Sequence, residues 1–332
     1  MNTMAIRSSA LPRPDSGQTG LSLIELLLAL GLGVLVIAVA GTVFLASRRA
    51  YVLQENSVQL SETGRYGIDR IVRAVRQAGF VDPGLASVLD FGIDSDKAAI
   101  SGLDARSLKS TTVGIDNAVT AAVNGSDVLA VRFAGTDDGS VVDCAGFAVG
   151  SASGSTSGST ASGNSANPGW SIFYVARGSS GEPELYCKYL GRQAWSSTAI
   201  ARGVESFQVL YGIGPRDAAR PVRYLTATQV NALDAQLTLR GVTLQQREQD
   251  KNRQTHWKNI REIKIALLLR SSDPVRADNT NLTHDLFGSA YSEPMAAIDP
   301  GVRINEAMLP LQDRKRLRKV FSTTIPVRNP AR

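Results

Sequence analysis

Two cysteines and two histidines in 332 residues are too few for a disulfide-framework scaffold or a four-cysteine zinc module, and they leave little for a histidine metal centre. His256 and His284 stand 28 positions apart with no cysteine or carboxylate constellation around them, so both read as polar surface residues. Aromatic residues make up only 6%. None is interleaved with the basic run Arg314-Lys315-Arg316-Leu317-Arg318-Lys319, which therefore reads as a solvated strand edge and speaks against nucleic acid as a partner. Thr136-Asp137-Asp138-Gly139 lacks the alternating oxygen ligands and terminal glutamate of a calcium loop, so it reads as a tight turn. The glycines at 191, 212 and 214 form no phosphate loop. These gaps predict a chain that is not an enzyme and that takes no cofactor or metal.

Charge is also sparse, at 20%, while 43% of residues are hydrophobic, which excludes a wholly disordered chain. A mean hydropathy of −0.05 excludes a polytopic membrane protein. Thirty-six basic against 30 acidic residues give a formal charge of +6, too mild a bias to demand a polyanionic partner.

One segment departs from these averages. Leu21 to Ala46 is a run of 26 residues whose only charge is Glu25. As a helix it covers roughly 39 Å, enough to cross a bilayer. Sixteen residues of the run are Leu, Ile, Val or Phe, and at about −0.3 to −0.6 kcal/mol each they outweigh one carboxylate. Arg7 and Arg13 precede the run and Arg48 and Arg49 follow it, a weak vote for a cytoplasmic N-terminus and an exported remainder. Three fates compete for the segment: an uncleaved anchor, a signal peptide cut after Ala40, or cleavage ahead of the apolar run, after Gly20.

Gly20-Leu21-Ser22-Leu23-Ile24-Glu25-Leu26 resembles the class III signal of type IV prepilins and type II secretion pseudopilins. Leucine stands at the first mature position where that family usually has phenylalanine. The resemblance implies cleavage of the Gly20–Leu21 bond by a membrane prepilin peptidase, methylation of the Leu21 amine, and pairing of Glu25 with the amine of a neighbouring subunit. An intramembrane carboxylate is tolerable when such a partner neutralises it.

Beyond the membrane the helix is expected to continue. Leu53, Leu60, Ile68, Ile71, Val75 and Ala78 form an apolar stripe, with Asp69 and Arg73 four apart outside it. Gly64 and Gly67 are candidate bends and Gly79 a candidate stop. Leu21 to Ala78 would make a helix of roughly 87 Å. The rest reads as strands at Val128–Phe133, Ser171–Ala176, Glu184–Leu190, Ser206–Tyr211 and Glu262–Arg270, with a weaker alternation from Phe321 to Val327. Thr226–Leu237 has helix character, and Arg247–His256 is too polar for a core. The fold class is α+β: a long N-terminal transmembrane and amphipathic helix, then an antiparallel β-sheet head. Its expected divisions are a leader at 1–20, a transmembrane helix at 21–46, an amphipathic continuation at 47–80 and a head at 81–332, with a flexible Ser/Gly loop at 150–167. Cys144 and Cys187 flank that loop and, outside the cytosol, are expected to pair.

Further motifs narrow the resemblance. Arg65-Tyr66-Gly67, Arg76-Gln77-Ala78-Gly79-Phe80, Gly125-Ser126-Asp127-Val128-Leu129, Glu184-Leu185-Tyr186-Cys187, the segments 203–212 and 263–271, and the closing Thr324-Ile325-Pro326-Val327-Arg328-Asn329 are similar to PilW-type minor pilins. That family implies a structural subunit that initiates or caps a type IV pilus. Its partners would be other minor pilins, the major pilin, an inner-membrane assembly platform, a tip adhesin and the prepilin peptidase. A type II secretion pseudopilin is the nearest relative that shares these features. A membrane-anchored extracytoplasmic ligand-binding or enzymatic domain is the alternative from another class.

Overall fold

The computed structural model describes residues 20, 22–81, 97–136, 138–150, 169–214, 222–278 and 280–328. Residues 1–19 of the expected leader, Leu21 and nearly all of the Ser/Gly loop lie outside the described residues. The chain divides into two compact units, Met1–Val52 and Leu53–Arg332. In the first unit the described residues are the opening turns of α1 (Leu23–Gln77) and the residues just ahead of it, all exposed.

In the second unit α1 is amphipathic, as the stripe predicts. Leu60, Ile71, Val75 and Ala78 are buried and Ile68 is half-buried, whereas Leu53 remains 42% exposed. Each fully buried branched side chain contributes roughly 1.5–3 kcal/mol. Arg73 Nε pairs with Asp69 at 2.8 Å on the exposed side, a contact of little weight for stability. The helix ends at Gln77, and Gly79 follows with φ 65° while its N–H donates to the Arg132 carbonyl. A left-handed glycine just past a helix end carries no Cβ penalty.

The strands are β1 (Ile100–Leu103), β2 (Val128–Phe133), β3 (Gly169–Arg177), β4 (Pro183–Leu190), β5 (Trp195–Arg202), β6 (Val204–Ile213), β7 (Arg223–Leu225), β8 (Ile260–Arg270), β9 (Thr283–Asp285), β10 (Arg303–Asn305) and β11 (Arg318–Pro326). Between them lie α2 (Ala227–Asp234), α3 (Leu244–Gln254) and α4 (Ser289–Met295). A five-stranded sheet has the order β1-β2-β3-β4-β5, a four-stranded sheet the order β11-β8-β6-β7, and β9 pairs with β10. Every ladder is antiparallel. The α+β reading therefore holds, and the six expected strand segments fall within β2, β3, β4, β6, β8 and, for most of its length, β11. Thr226 caps α2 through a reciprocal box with Gln229, and α3 buries none of its residues.

One core joins the inner face of α1 to both larger sheets, through Val131, Phe173, Leu185, Phe207, Ile265 and Leu267. The alternation along β8 has a second use: Ala266 and Leu268 face a smaller cluster with Leu286 and Ile304. Hence β8 is buried on both faces where its outer positions turn apolar.

Gly64 and Gly67 do not break the helix, which runs unbroken through both. Both are buried, and a Cβ on Gly64 would lie 2.4 Å from Phe321 Cε2. Gly64 thus admits the Phe321 ring of β11 against the helix backbone. Gly64→Ala is expected to destabilise the head despite the roughly 1 kcal/mol of helix propensity that alanine gains, because overpacking costs typically 1–3 kcal/mol. A second change, Phe321→Ala, should reverse the sign of the Gly64→Ala effect in thermal melts. Equal effects of Gly64→Ala with and without Phe321 would reject the account.

Candidate assembly site

The helix start is built from Ser22 and Glu25. The Ser22 hydroxyl accepts the Ile24 N–H at 3.3 Å, its carbonyl accepts the Leu26 N–H at 3.1 Å, and its own N–H donates to Glu25 Oε2 at 3.1 Å. This is a capping box of the Ser-x-x-Glu type, its hydroxyl taking the second helical N–H. The only charge of the apolar run therefore sits at the positive end of the helix dipole, where a carboxylate is favoured. Sequence reasoning assigned Glu25 to a partner subunit and missed Ser22, although the Ser-x-x-Glu spacing was there to read. Of the residues expected at the cleavage point, Gly20 is exposed and Leu21 lies outside the described residues.

Behind this cap, α1 presents Leu23, Ile24, Leu26, Leu27 and Leu28, then Val34 to Ile37, all more than half exposed. It is the one helix among the described residues long and apolar enough to cross a membrane, and its most apolar window is not buried at all. An apolar surface of this extent marks a membrane or protein contact.

Cys144 and Cys187 form a disulfide with Cα atoms 5.8 Å apart. Cys187 lies in β4 and Cys144 in the loop after β2, where its N–H donates to Ser171 Oγ of β3 at 2.9 Å. The bridge closes the loop that carries residues 151–168. Next to it Lys188 is fully buried, donating to the Lys109 carbonyl and Thr112 Oγ1 at 2.9 Å each. Burial pushes its ammonium down to about 8, against a smaller opposing pull from Asp116.

The basic run near the C-terminus corrects the sequence reading. Arg318 is buried, with Nε 2.6 Å from Glu205 Oε2 and a second nitrogen 3.3 Å from Glu306 Oε1. Arg316 pairs with Asp313 at 3.1 Å, and Arg314 donates to the carbonyls of Leu309 and Ala307. Glu306, wholly buried, also takes Arg276 at 2.7 Å, the Leu282 N–H at 3.0 Å and His284 Nε2 at 3.0 Å. His284 is thus a partner of a buried carboxylate and not a surface residue, while His256 is half-buried beside Asp234 at 2.8 Å. This network fastens residues 271–317, an excursion between the paired strands β8 and β11, onto β6. A second acidic group lies beside the middle of β6, where Asp127 accepts the Val209 N–H. There burial raises Asp127 well above the carboxylate range and Asp299 to about 6, with Asp104 adding to both. Asp127 holds the N–H groups of Ala105 and Val209. Asp138 accepts the Ser140 N–H, and the Gly139 N–H donates to the Thr136 carbonyl at 3.3 Å; Asp137 of that motif lies outside the described residues.

Among the described residues no group of three or more His, Cys, Asp or Glu could hold a metal ion. What the arrangement supplies is an apolar helix surface and a braced head.

Two tests follow from this geometry. Replacing both cysteines by serine is expected to lower the head's stability by up to about 4 kcal/mol, the chain-entropy value for a loop of 43 residues; an unchanged melting curve would reject a bracing role. Burial raises the Glu306 carboxyl, but the Leu282 N–H, His284 and Arg276 more than reverse this and hold it at about 2. A depressed folded value means its contribution is complete above the unfolded value near 4.5 and is lost as pH falls toward 2. Glu306→Gln removes the charge that Arg276, Arg318 and His284 share; because Arg318 keeps Glu205, it should destabilise the head at neutral pH by less than the roughly 3–5 kcal/mol of a wholly unpaired buried charge and flatten the acid limb of the stability curve. An acid limb identical to that of the parent would show that Glu306 is not the group responsible.

No curated protein and no solved structure matches the chain. Residues 172–329, which run from β3 to just past β11, match the model of the family described as type IV pilus-assembly protein W. PilW is a structural family of pilus assembly, and together with the apolar helix the match supports a PilW-type pilus protein.

Proposed function

We propose that the chain is a minor pilin, a structural subunit that initiates or caps a type IV pilus. The observation that carries this reading is α1. Its N-terminal stretch offers an unpartnered apolar surface headed by a single capped carboxylate, while residues 172–329 of the head match the pilus-assembly family. A subunit held first in a bilayer and then among similar helices needs that surface in both settings.

On this reading residues 1–20 are a leader, 21–46 the membrane and polymerisation helix, 47–80 its amphipathic continuation and 81–332 the head. The Gly20–Leu21 bond is cut by a prepilin peptidase, Leu21 is N-methylated, and Glu25 meets the amine of an adjacent subunit. The N-terminus faces the cytoplasm and the head the periplasm until the subunit enters a surface pilus. Other minor pilins, the major pilin, an inner-membrane platform and a tip adhesin are the partners. The disulfide suits an oxidising exterior.

N-terminal sequencing of the mature protein tests the first step. Methylated Leu21 is the expected start; Met1 or Gly41 would overturn the pilin reading. Deletion of the gene should then reduce the count of surface pili and leave exoprotein release intact, and the opposite pattern would assign the chain to a type II secretion assembly.

A further inference from the structure

We propose that the seat of residues 289–302 on β6 is a pH-sensitive latch, held fast while Asp299 is protonated and loosened when it ionises. Asp299 follows α4, inside the excursion between β8 and β11, and is 2% exposed. The two residues after it make the seat. The Pro300 carbonyl accepts Gln208 Nε2 at 3.3 Å and the Gly301 carbonyl accepts Ser206 Oγ at 3.0 Å, both donors lying on β6. The Gly125 carbonyl accepts the same Gln208 nitrogen at 2.9 Å, so one side chain pins the excursion to the turn ahead of β2. Contact between the two backbones is close: a Cβ on Gly125 would lie 2.5 Å from the Pro300 carbonyl oxygen.

Three carboxylates meet at this seat, and their donors are uncharged. Asp127 accepts the Ala105 and Val209 N–H groups at 3.0 and 2.9 Å, Asp104 those of Ala227 and Thr228 at 2.9 and 2.6 Å, and Asp299 the Tyr291 hydroxyl at 3.1 Å. The titratable groups that face Asp299 are Tyr291 from α4 and Asp104 from the loop after β1, and Asp127 at the start of β2 and Tyr211 of β6 complete the cluster. Arg303, four residues on, is taken by Asp285 and Glu293. A buried carboxylate without a cation ionises only against desolvation and the repulsion of its neighbours. Burial, with Asp104 adding to it, raises the Asp299 carboxyl to about 6 against the opposing Tyr291 hydroxyl. Opening the seat returns that group to water and to its ordinary value of 3.8. A raised folded value means that closure is strongest below 3.8, weakens as the pH climbs, and has lost its full share above about 6. The latch is independent of the apolar helix surface, so its failure would leave the pilus reading untouched.

The test uses the full chain in zwitterionic micelles. Hydrogen exchange of the Leu286 amide, which donates to the Val302 carbonyl across the excursion, is measured at about pH 5 and about pH 7.5 and corrected for the intrinsic pH dependence of exchange. Carboxyl values of about 6 when closed and 3.8 when open make opening about tenfold more frequent at the higher pH. Asp299→Asn keeps an acceptor for Tyr291 and should abolish that difference. The variant also separates Asp299 from His284, which anchors the same excursion through Glu306. In the parent chain, carboxyl NMR should show Asp299 titrating near 6. Equal protection of Leu286 at the two pH values, a tenfold difference that survives Asp299→Asn, or an Asp299 carboxyl titrating near 3.8 would each overturn the latch.

Discussion

The architecture depends on one constraint: α1 must keep its hydrogen-bonded backbone unbroken while its side chains change from apolar on every side to apolar on one side. Before Val52 the helix buries nothing within its own unit, and after Leu53 it supplies the inner wall of the head's core. The second condition demands close approach, which is why Gly64 sits under Phe321. The usual effect of glycine on a helix, extra backbone freedom at roughly 1 kcal/mol, is outweighed at Gly64 by the packing it admits. A helix whose ladder broke there would lose its register with both sheets at once.

Much of this was legible in the sequence because it is periodic. The 3.6-residue stripe from Leu60 to Ala78 and the two-residue alternation of Ile263, Ile265, Leu267 and Leu269 each report a one-sided core locally. What escaped is not periodic or not local. Strand β5, Trp195–Arg202, is an edge strand with one buried residue, Ala201, so no apolar pattern announces it. The short strands β9 and β10 and the helix α4, with Pro294 inside it, are too brief or too irregular to signal themselves. The ion network is the clearest failure. Arg318 and Glu205 are 113 positions apart, and a charge run in isolation reads as solvated because most are. Only the sheet order, which sets β11 beside β8 and β8 beside β6, brings those groups together.

The two charge clusters have opposite characters, and the difference follows from their donors. Glu205 and Glu306 both receive guanidinium groups, and those on Glu306, with the Leu282 N–H and His284, hold its carboxyl low against desolvation. Asp127 receives only neutral N–H groups and shares its surroundings with Asp104 and Asp299, so burial dominates and its carboxyl is driven upward. The first cluster holds residues 271–317 most firmly at neutral pH. The second carries a burial penalty on its ionised form, which acidification relieves before it dissolves the first.

Glu25 joins the local and the functional arguments. Within the chain it accepts the Ser22 N–H and lies at the start of the helix dipole. On the proposed reading, cleavage after Gly20 leaves a charged amine on Leu21, one residue before the cap, where the positive end of that dipole repels it. A carboxylate already held at this end offsets the repulsion, and it has spare acceptor capacity beyond the Ser22 N–H, since an ionised carboxylate offers about four lone-pair sites. The capping box therefore does not compete with pairing to an amine. It fixes the rotamer of Glu25 before a partner arrives, which lowers the entropy that pairing must overcome, and it explains why a membrane helix would keep both a serine and a glutamate at a depth where each alone is costly.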